Sequence, residues 1–364
     1  MTAGPALPSF EELLARDDVI WMGQNTTHLE PAPEVLAALD ESTRRREFQV
    51  YAPSAGFTEL RELIVADLGL PGFDAWVLDG AVAGLHHVCT TLAPRVSRLI
   101  TSDPGWPWPA RFVGIAGVPV TALPVYERPN ALLSAAQIAE VIEPNALIYL
   151  VDPLNPLGSS YTAEELADIV DVARQAQAYL IHDCTYRHFA DAHTLAAPLY
   201  PERTLTTYSF SKWLGLAGLR VGAVVAAPGL LADVMAAPAN PLGAGIQGQR
   251  AAIAGLRIRD RWLSHLRQTN RRNLDTVETV VAESGVGSVV VRRSQGNFLA
   301  VDITDTDWTS DVLCREILQR TGVFIRPGTY QSPMFGERFV KVSTSVPPAW
   351  VDTFSDAWRS VAAR

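Results

Sequence analysis

Six short apolar runs that alternate with helix-like stretches constrain this chain more than any other feature. They are 75–78, 98–101, 146–151, 178–182, 204–208 and 221–225. Several are continuous rather than alternating in polarity, as strands are when both faces of a mostly parallel sheet are covered. Between them lie helical stretches such as 84–92 and 163–177, the latter opened by Thr162 as an N-cap with Glu164 and Glu165 in its first turn. Strand and helix in alternation mean an α/β fold, here a three-layer sandwich around a mostly parallel central sheet. Polar residues cluster just after the strands, where open α/β sheets bind ligands. A segment rich in Pro, Gly and Ala, 238–248, reads as a domain boundary, followed by one long arginine-rich helix over 249–283. Strand candidates 288–291, 298–301 and 339–343 then form a smaller α+β unit. The expected division is an N-terminal arm over 1–30, a large domain over 31–245 and a small C-terminal domain over 246–364.

Length and charge narrow the function. A chain of 364 residues buries a substantial core. Its net charge of −9 repels a phosphate backbone, and its arginines are scattered, so small-molecule chemistry is expected and nucleic-acid binding is not. The longest apolar stretch, 221–237, contains Pro228 and Asp233, which argues against a membrane span. Glu11, Glu12 and Asp17 do not suit a signal peptide, and a cytoplasmic protein is expected. Cys89, Cys184 and Cys314 are far apart and suggest neither a disulfide framework nor a metal site.

Of 30 basic residues only Lys212 and Lys341 are lysines. An ε-amine forms imines and loses its proton when desolvated, whereas a guanidinium does neither. Lys212 lies in the run Ser209-Phe210-Ser211-Lys212-Trp213-Leu214-Gly215-Leu216-Ala217-Gly218-Leu219-Arg220-Val221-Gly222. This run resembles the lysine motif of the class I/II aminotransferases, enzymes of fold type I that use pyridoxal 5′-phosphate (PLP). The resemblance implies that Lys212 holds the PLP aldehyde as a Schiff base and that Ser209 and Arg220 hold its phosphate. Asp152-Pro153-Leu154-Asn155-Pro156-Leu157-Gly158 resembles the family's Asn-Pro-x-Gly segment, which gives Asn155 the cofactor's phenolic oxygen. Asp183-Cys184-Thr185-Tyr186 resembles Asp-x-x-Tyr, which pairs Asp183 with the pyridine nitrogen and Tyr186 with the phenolic oxygen. A carboxylate there keeps the ring protonated and able to accept electrons.

Further matches are shorter. Asp103-Pro104-Gly105-Trp106 resembles the segment whose aromatic residue stacks on the ring, which selects Trp106. Gly80-Ala81-Val82, between a strand and a helix, stands where backbone amides cradle a phosphate, although Val82 lacks the usual hydroxyl and Asp79 is an awkward neighbour. Tyr51 resembles the tyrosine that reaches the phosphate of the neighbouring subunit, which implies a homodimer with shared active sites. Lys341 stands where the family places the arginine that clamps the substrate carboxylate, so the substrate end departs from the pattern; Arg326 or Arg338 are possible substitutes. Gly23, Asn25 and Thr26 align with a segment lining the substrate side.

Taken together, the resemblance implies a PLP-dependent enzyme acting at the Cα of an amino acid, with Lys212, Asp183 and Tyr186 as catalytic residues and transamination as the leading reaction. The alternative it leaves open is a lyase, by β-elimination or C–S cleavage, or a decarboxylating or oxidative enzyme of a bacterial natural-product pathway. The fold does not choose among them.

Overall fold

The computed structural model describes residues 7–362; residues 1–6 of the expected N-terminal arm and 363–364 of the expected small domain lie outside them. The large sheet has seven strands: β1 (Asp74–Leu78), β2 (Leu99–Asp103), β3 (Val120–Pro124), β4 (Leu147–Val151), β5 (Tyr179–Asp183), β6 (Thr204–Ser209) and β7 (Gly222–Ala226). Their order is β1-β7-β6-β5-β4-β2-β3. From β6 to β3 all neighbours are parallel, while β7 runs antiparallel to both β6 and β1. Every residue of β4, β6 and β7 is buried, which is why β4 and β7 read as continuous apolar runs, whereas β6 buries three threonines and a serine. Strand β3 was not anticipated. It is an edge strand whose residues alternate between exposed and half-buried, so it carries no apolar run.

The helices cover the sheet. We number α1 (Pro33–Arg44), α2 (Ala81–Leu92), α3 (Ala163–Gln175), α4 (Ile246–Arg257) and α5 (Arg259–Ser284). In α3 the expected cap forms as a capping box: Thr162 Oγ1 accepts from the Glu165 amide and Glu165 accepts from the Thr162 amide. Its Leu166, Ile169, Val170 and Ala173 make one buried stripe at helical spacing. The single helix expected over 249–283 is instead two, because at Ile258 the backbone leaves the helix (φ −106°, ψ 11°). The two helices together reach two cores, and Trp262, Leu263 and Leu266 at the start of α5 still belong to the large one. Ala251, Ala252, Ile253 and Leu256 of α4 pack into the large core, and Leu274, Val277, Val280 and Val281 of α5 into a second one.

That second core lies behind an antiparallel sheet of β8 (Ser288–Val289), β9 (Phe298–Asp302), β10 (Arg326–Pro327) and β11 (Phe339–Ser343), in the order β10-β11-β9-β8. Near the N-terminus, Ile20–Trp21 pairs in parallel with Val323–Phe324, which carries residues 23–26 to the large sheet's polar edge. Trp358, fully buried, anchors the second core and donates its indole N–H toward Ser284 Oγ (3.2 Å) and the Val286 carbonyl (3.3 Å). Trp358→Ala is expected to lower the unfolding free energy by about 3–5 kcal/mol through cavity formation. Urea denaturation checks this; a loss below about 1 kcal/mol would show that the site collapses without cost.

Candidate active site

Because β2, β4, β5 and β6 run parallel, their C-terminal ends meet at one edge of the sheet. A cavity of about 200 Å³ opens there, lined by Trp106, Val151, Asn155, Asp183, Tyr186, Ser209, Lys212 and Arg220 together with Ala81 and Val82 at the start of α2. Five separated segments of sequence thus converge at this edge.

Asp183, the last residue of β5, is the carboxylate of this cavity. Thr185 (amide 3.2 Å, hydroxyl 2.6 Å) and Thr207 Oγ1 (2.6 Å) donate to one oxygen, and Tyr149 O–H (2.7 Å) donates to the other. Four donors hold a buried charge in place and compensate its lost hydration. Sequence reasoning missed these supports because Tyr149 and Thr207 sit on the strands either side of β5, and their contact with Asp183 is a matter of register.

On the opposite side, Gly80 adopts φ +89°, and a Cβ there would stand 2.4 Å from an Arg220 guanidinium nitrogen. Only glycine suits both the conformation and the approach. A Cβ at Gly222 would likewise meet the Ala81 amide nitrogen at 2.5 Å. No side chain caps α2, and its first residues, Ala81 and Val82, line the cavity beside Ser209 and Arg220. This is a concave, positively polarised cradle for an anion. Asp79 does not oppose it: its carboxylate accepts from Asn240 Nδ2 (3.0 Å), and its backbone carbonyl accepts from Arg220.

Lys212 Nζ donates to the Gln24 carbonyl (3.1 Å). Desolvation, with further opposition from Arg220 and Arg326, lowers its pKa from 10.5 to about 8, against a partial restoring effect of Asp183. Lys341 is more deeply buried, with 3% of its surface exposed; its Nζ has a long contact to Asn155 Oδ1 (3.4 Å) and lies over the Phe298 ring. Burial, then Arg326 and Lys212, hold its pKa well below the usual lysine range. Arg326 is Lys341's cross-strand partner. Arg338, the other substitute considered, is committed elsewhere through its ion pair with Glu127 (2.7 Å).

Asn25 is brought in by the N-terminal segment in a left-handed conformation (φ 57°) and donates to both Asn155 Oδ1 (3.2 Å) and Tyr186 O–H (3.1 Å). Gln331, not singled out from sequence, also donates to Asn155 Oδ1 (2.7 Å). Gly23 lies close against Phe324. Thr26 does not line the cavity; its hydroxyl bonds His28 (2.9 Å). Tyr51 is 78% exposed and likewise outside it. Behind Asn155, buried Asp152 lies 3.4 Å from His182 and 3.2 Å from His193. Cys184 joins these histidines in a group with donor atoms within 4.8 Å, a proximity that cysteine spacing could not reveal. His182 Nδ1 accepts the Ala196 amide, which puts the ring proton on Nε2, facing Asp152.

These residues fit PLP. A phosphate-sized anion suits the space that a Cβ at Gly80 would invade, a buried amine of lowered pKa suits imine formation, and a fixed carboxylate suits a ring nitrogen.

Comparison with known proteins agrees with this geometry. The family described as aminotransferase class I and II matches residues 17–357. The aspartate aminotransferase of Pyrococcus horikoshii is 26% identical over 349 residues, 92% of this chain and 88% of that protein. A histidinol-phosphate aminotransferase of Rubrobacter xylanophilus is 31% identical over 85% of this chain and 84% of its own length. Among solved structures, an aminotransferase from Mycobacterium tuberculosis superimposes with a TM-score of 0.85 at 21% identity, over 97% of this chain and 94% of that one, which shows the shared fold. The chain belongs to the class I and II aminotransferase family.

Proposed function

We propose that this enzyme uses PLP held on Lys212 to transfer the amino group of an amino acid. The observation that carries the reading is the buried Lys212 amine in one cavity with the Asp183 carboxylate and the Gly80–Arg220 cradle. Ser209, Arg220 and the amides of Ala81 and Val82 would hold the phosphate, Asp183 the ring nitrogen, Asn155 and Tyr186 the phenolic oxygen, and Trp106 the ring face. When bound, PLP supplies an electron-poor ring that accepts the pair released at the substrate's Cα. Lys212 Nζ, with a pKa near 8, is partly unprotonated at neutral pH and can take the Cα proton. Asn25, tied to Asn155 and Tyr186, couples the N-terminal segment to the site and helps exclude water. Lys341 and Arg326 receive the substrate carboxylate.

A lyase or decarboxylating reaction is the second reading. It is favoured by Lys341, which offers a point charge where a bidentate arginine fork would hold the carboxylate and fix the bond set perpendicular to the ring. We further place the protein in the cytoplasm as a homodimer. The exposed apolar residues Phe48, Val50 and Tyr51 support a partner surface, and three unpaired buried cysteines suit a reducing compartment. No helix among the described residues is long and apolar enough to cross a membrane. We also keep the division into an arm over 1–30, a large domain over 31–245 and a small domain over 246–364; the separate apolar core of the later turns of α5 supports a distinct small domain.

Mixing the PLP-loaded enzyme with amino acids in the absence of any keto acid should convert its visible spectrum to the pyridoxamine form, and Lys212→Ala should abolish the change. A spectrum that returns to its starting form while product accumulates would instead establish the lyase or decarboxylase.

Gly80→Ala should weaken PLP affinity by roughly tenfold or more, since it combines backbone strain with a clash at Arg220. Fluorescence titration of the apoenzyme measures this, and unchanged affinity would contradict the cradle.

The depressed Lys212 pKa has a definite sign in the apoenzyme. Between pH about 8 and 10.5 the unfolded lysine holds a proton that the folded one has lost, so stability rises with pH across this window. Lys212→Met should flatten that rise in urea titrations; an unaltered slope would mean that Lys212 is not desolvated.

A further inference from the structure

We propose that the amino acid this enzyme takes carries a large aromatic side chain, seated in a second cavity between the N-terminal helix Phe10–Leu14 and the strand Val323–Phe324. This inference deepens the proposed transamination by naming its substrate class.

The cavity measures about 410 Å³, twice the size of the cofactor cavity, and its walls include Phe10, Leu13, Phe324, Arg326, Pro327 and Tyr330. Three aromatic rings line it: Phe10, Phe324 and Tyr330. Phe10 meets Phe324 edge-on with centroids 6.1 Å apart, and both pack on Trp21. The Arg326 guanidinium lies against all three lining rings, 4.9 Å from Phe10, 5.3 Å from Phe324 and 4.5 Å from Tyr330, while its Nε donates to the Gly23 carbonyl (3.4 Å). A caged guanidinium of this kind offers a flat face on which another ring can stack.

The position of the cavity ties it to the reaction. Tyr330 stands between the two cavities: it lines the second, and its ring is 6.0 Å from that of Trp106, which lines the first. Trp108 Nε1 donates to the Tyr330 hydroxyl (3.4 Å), which fixes the dividing ring. Arg326 belongs to both environments, since it lines the second cavity and its charge acts on Lys212 and Lys341. A substrate whose carboxylate rests on Lys341 and Arg326 is therefore one side chain away from these rings.

Two of the polar groups around the cavity have neighbours of their own. Asp311 accepts from Thr329 Oγ1 (2.9 Å), and Arg111 lies over the Trp108 ring (5.0 Å). Apolar surface is left open as well, since Phe10 keeps 42% of its area exposed. An aromatic side chain would cover it, whereas a short acidic side chain would fill little of the volume and leave the rings wet.

The test uses the PLP-loaded enzyme and two unreactive carboxylates, 3-phenylpropionate and succinate, measured by isothermal titration calorimetry. Wild type should bind 3-phenylpropionate at least about tenfold more tightly than succinate, and Phe10→Ala should weaken the aromatic ligand about tenfold and at least fivefold more than it weakens succinate. Phe10 is a surface residue, so folding is not at stake; Phe10→Leu should lose less. With L-phenylalanine as donor, Phe10→Ala should raise KM far more than it lowers kcat. Succinate binding as tightly as 3-phenylpropionate, or equal losses for both in Phe10→Ala, would overturn the subsite. Tight, Phe10-dependent binding without amino transfer from L-phenylalanine would overturn the proposed reaction and leave the subsite standing.

Discussion

Positive charge gathered around one carboxylate is the constraint on which the site depends. Lys212 feels Arg220 and Arg326, Lys341 feels Arg326 and Lys212, and Asp183 is the anion that opposes them at Lys212. Buried like charges are costly unless they are neutralised. The protein answers in two ways. The two lysine amines lose affinity for their protons, and the guanidinium of Arg326 leans on aromatic faces and a backbone carbonyl. The remaining imbalance favours anionic ligands, which on our reading are a cofactor phosphate beside Arg220 and a substrate carboxylate beside Lys341 and Arg326.

The sheet supplies the geometry for that balance. Parallel strands deliver Asp183 and Ser209 to the same edge, and antiparallel β7 returns the chain past it after Lys212 and Arg220. Glycine at 80 and 222 allows the start of α2 to approach Arg220 closely. The N-terminal segment closes the remaining side by adding Asn25, placed by pairing with Val323–Phe324 and by the Asn25 amide donating to Ser343 Oγ of β11.

Much of this was legible in the residues. Strands covered on both faces, whether parallel or, like β7, antiparallel, stood out from the helices between them, so β4 to β7 could be found to within a residue or two. The lysine run, the Asn155 segment and Asp183 keep a local order that identifies a chemistry before any contact is known. What escaped was whatever depends on register or on long-range packing. Tyr149 and Thr207 reach Asp183 only because neighbouring strands align, Gln331 reaches Asn155 across 176 positions, and α5 passes from the large core at Trp262, Leu263 and Leu266 to the second core at Leu274 and beyond. Edge strand β3 has one neighbour and exposed residues, so it left no apolar signature. The aromatic cage of Arg326 draws on residues from 10 to 330, which no local pattern unites.

The claim at the centre of this account is that Lys212, rather than the equally rare and more deeply buried Lys341, carries the cofactor. Borohydride reduction of the PLP-loaded protein, followed by peptide mass spectrometry, tests it directly. The account predicts one pyridoxyl group on the peptide containing Lys212 and none on that containing Lys341. A pyridoxyl group on Lys341, or no modified lysine, would contradict it.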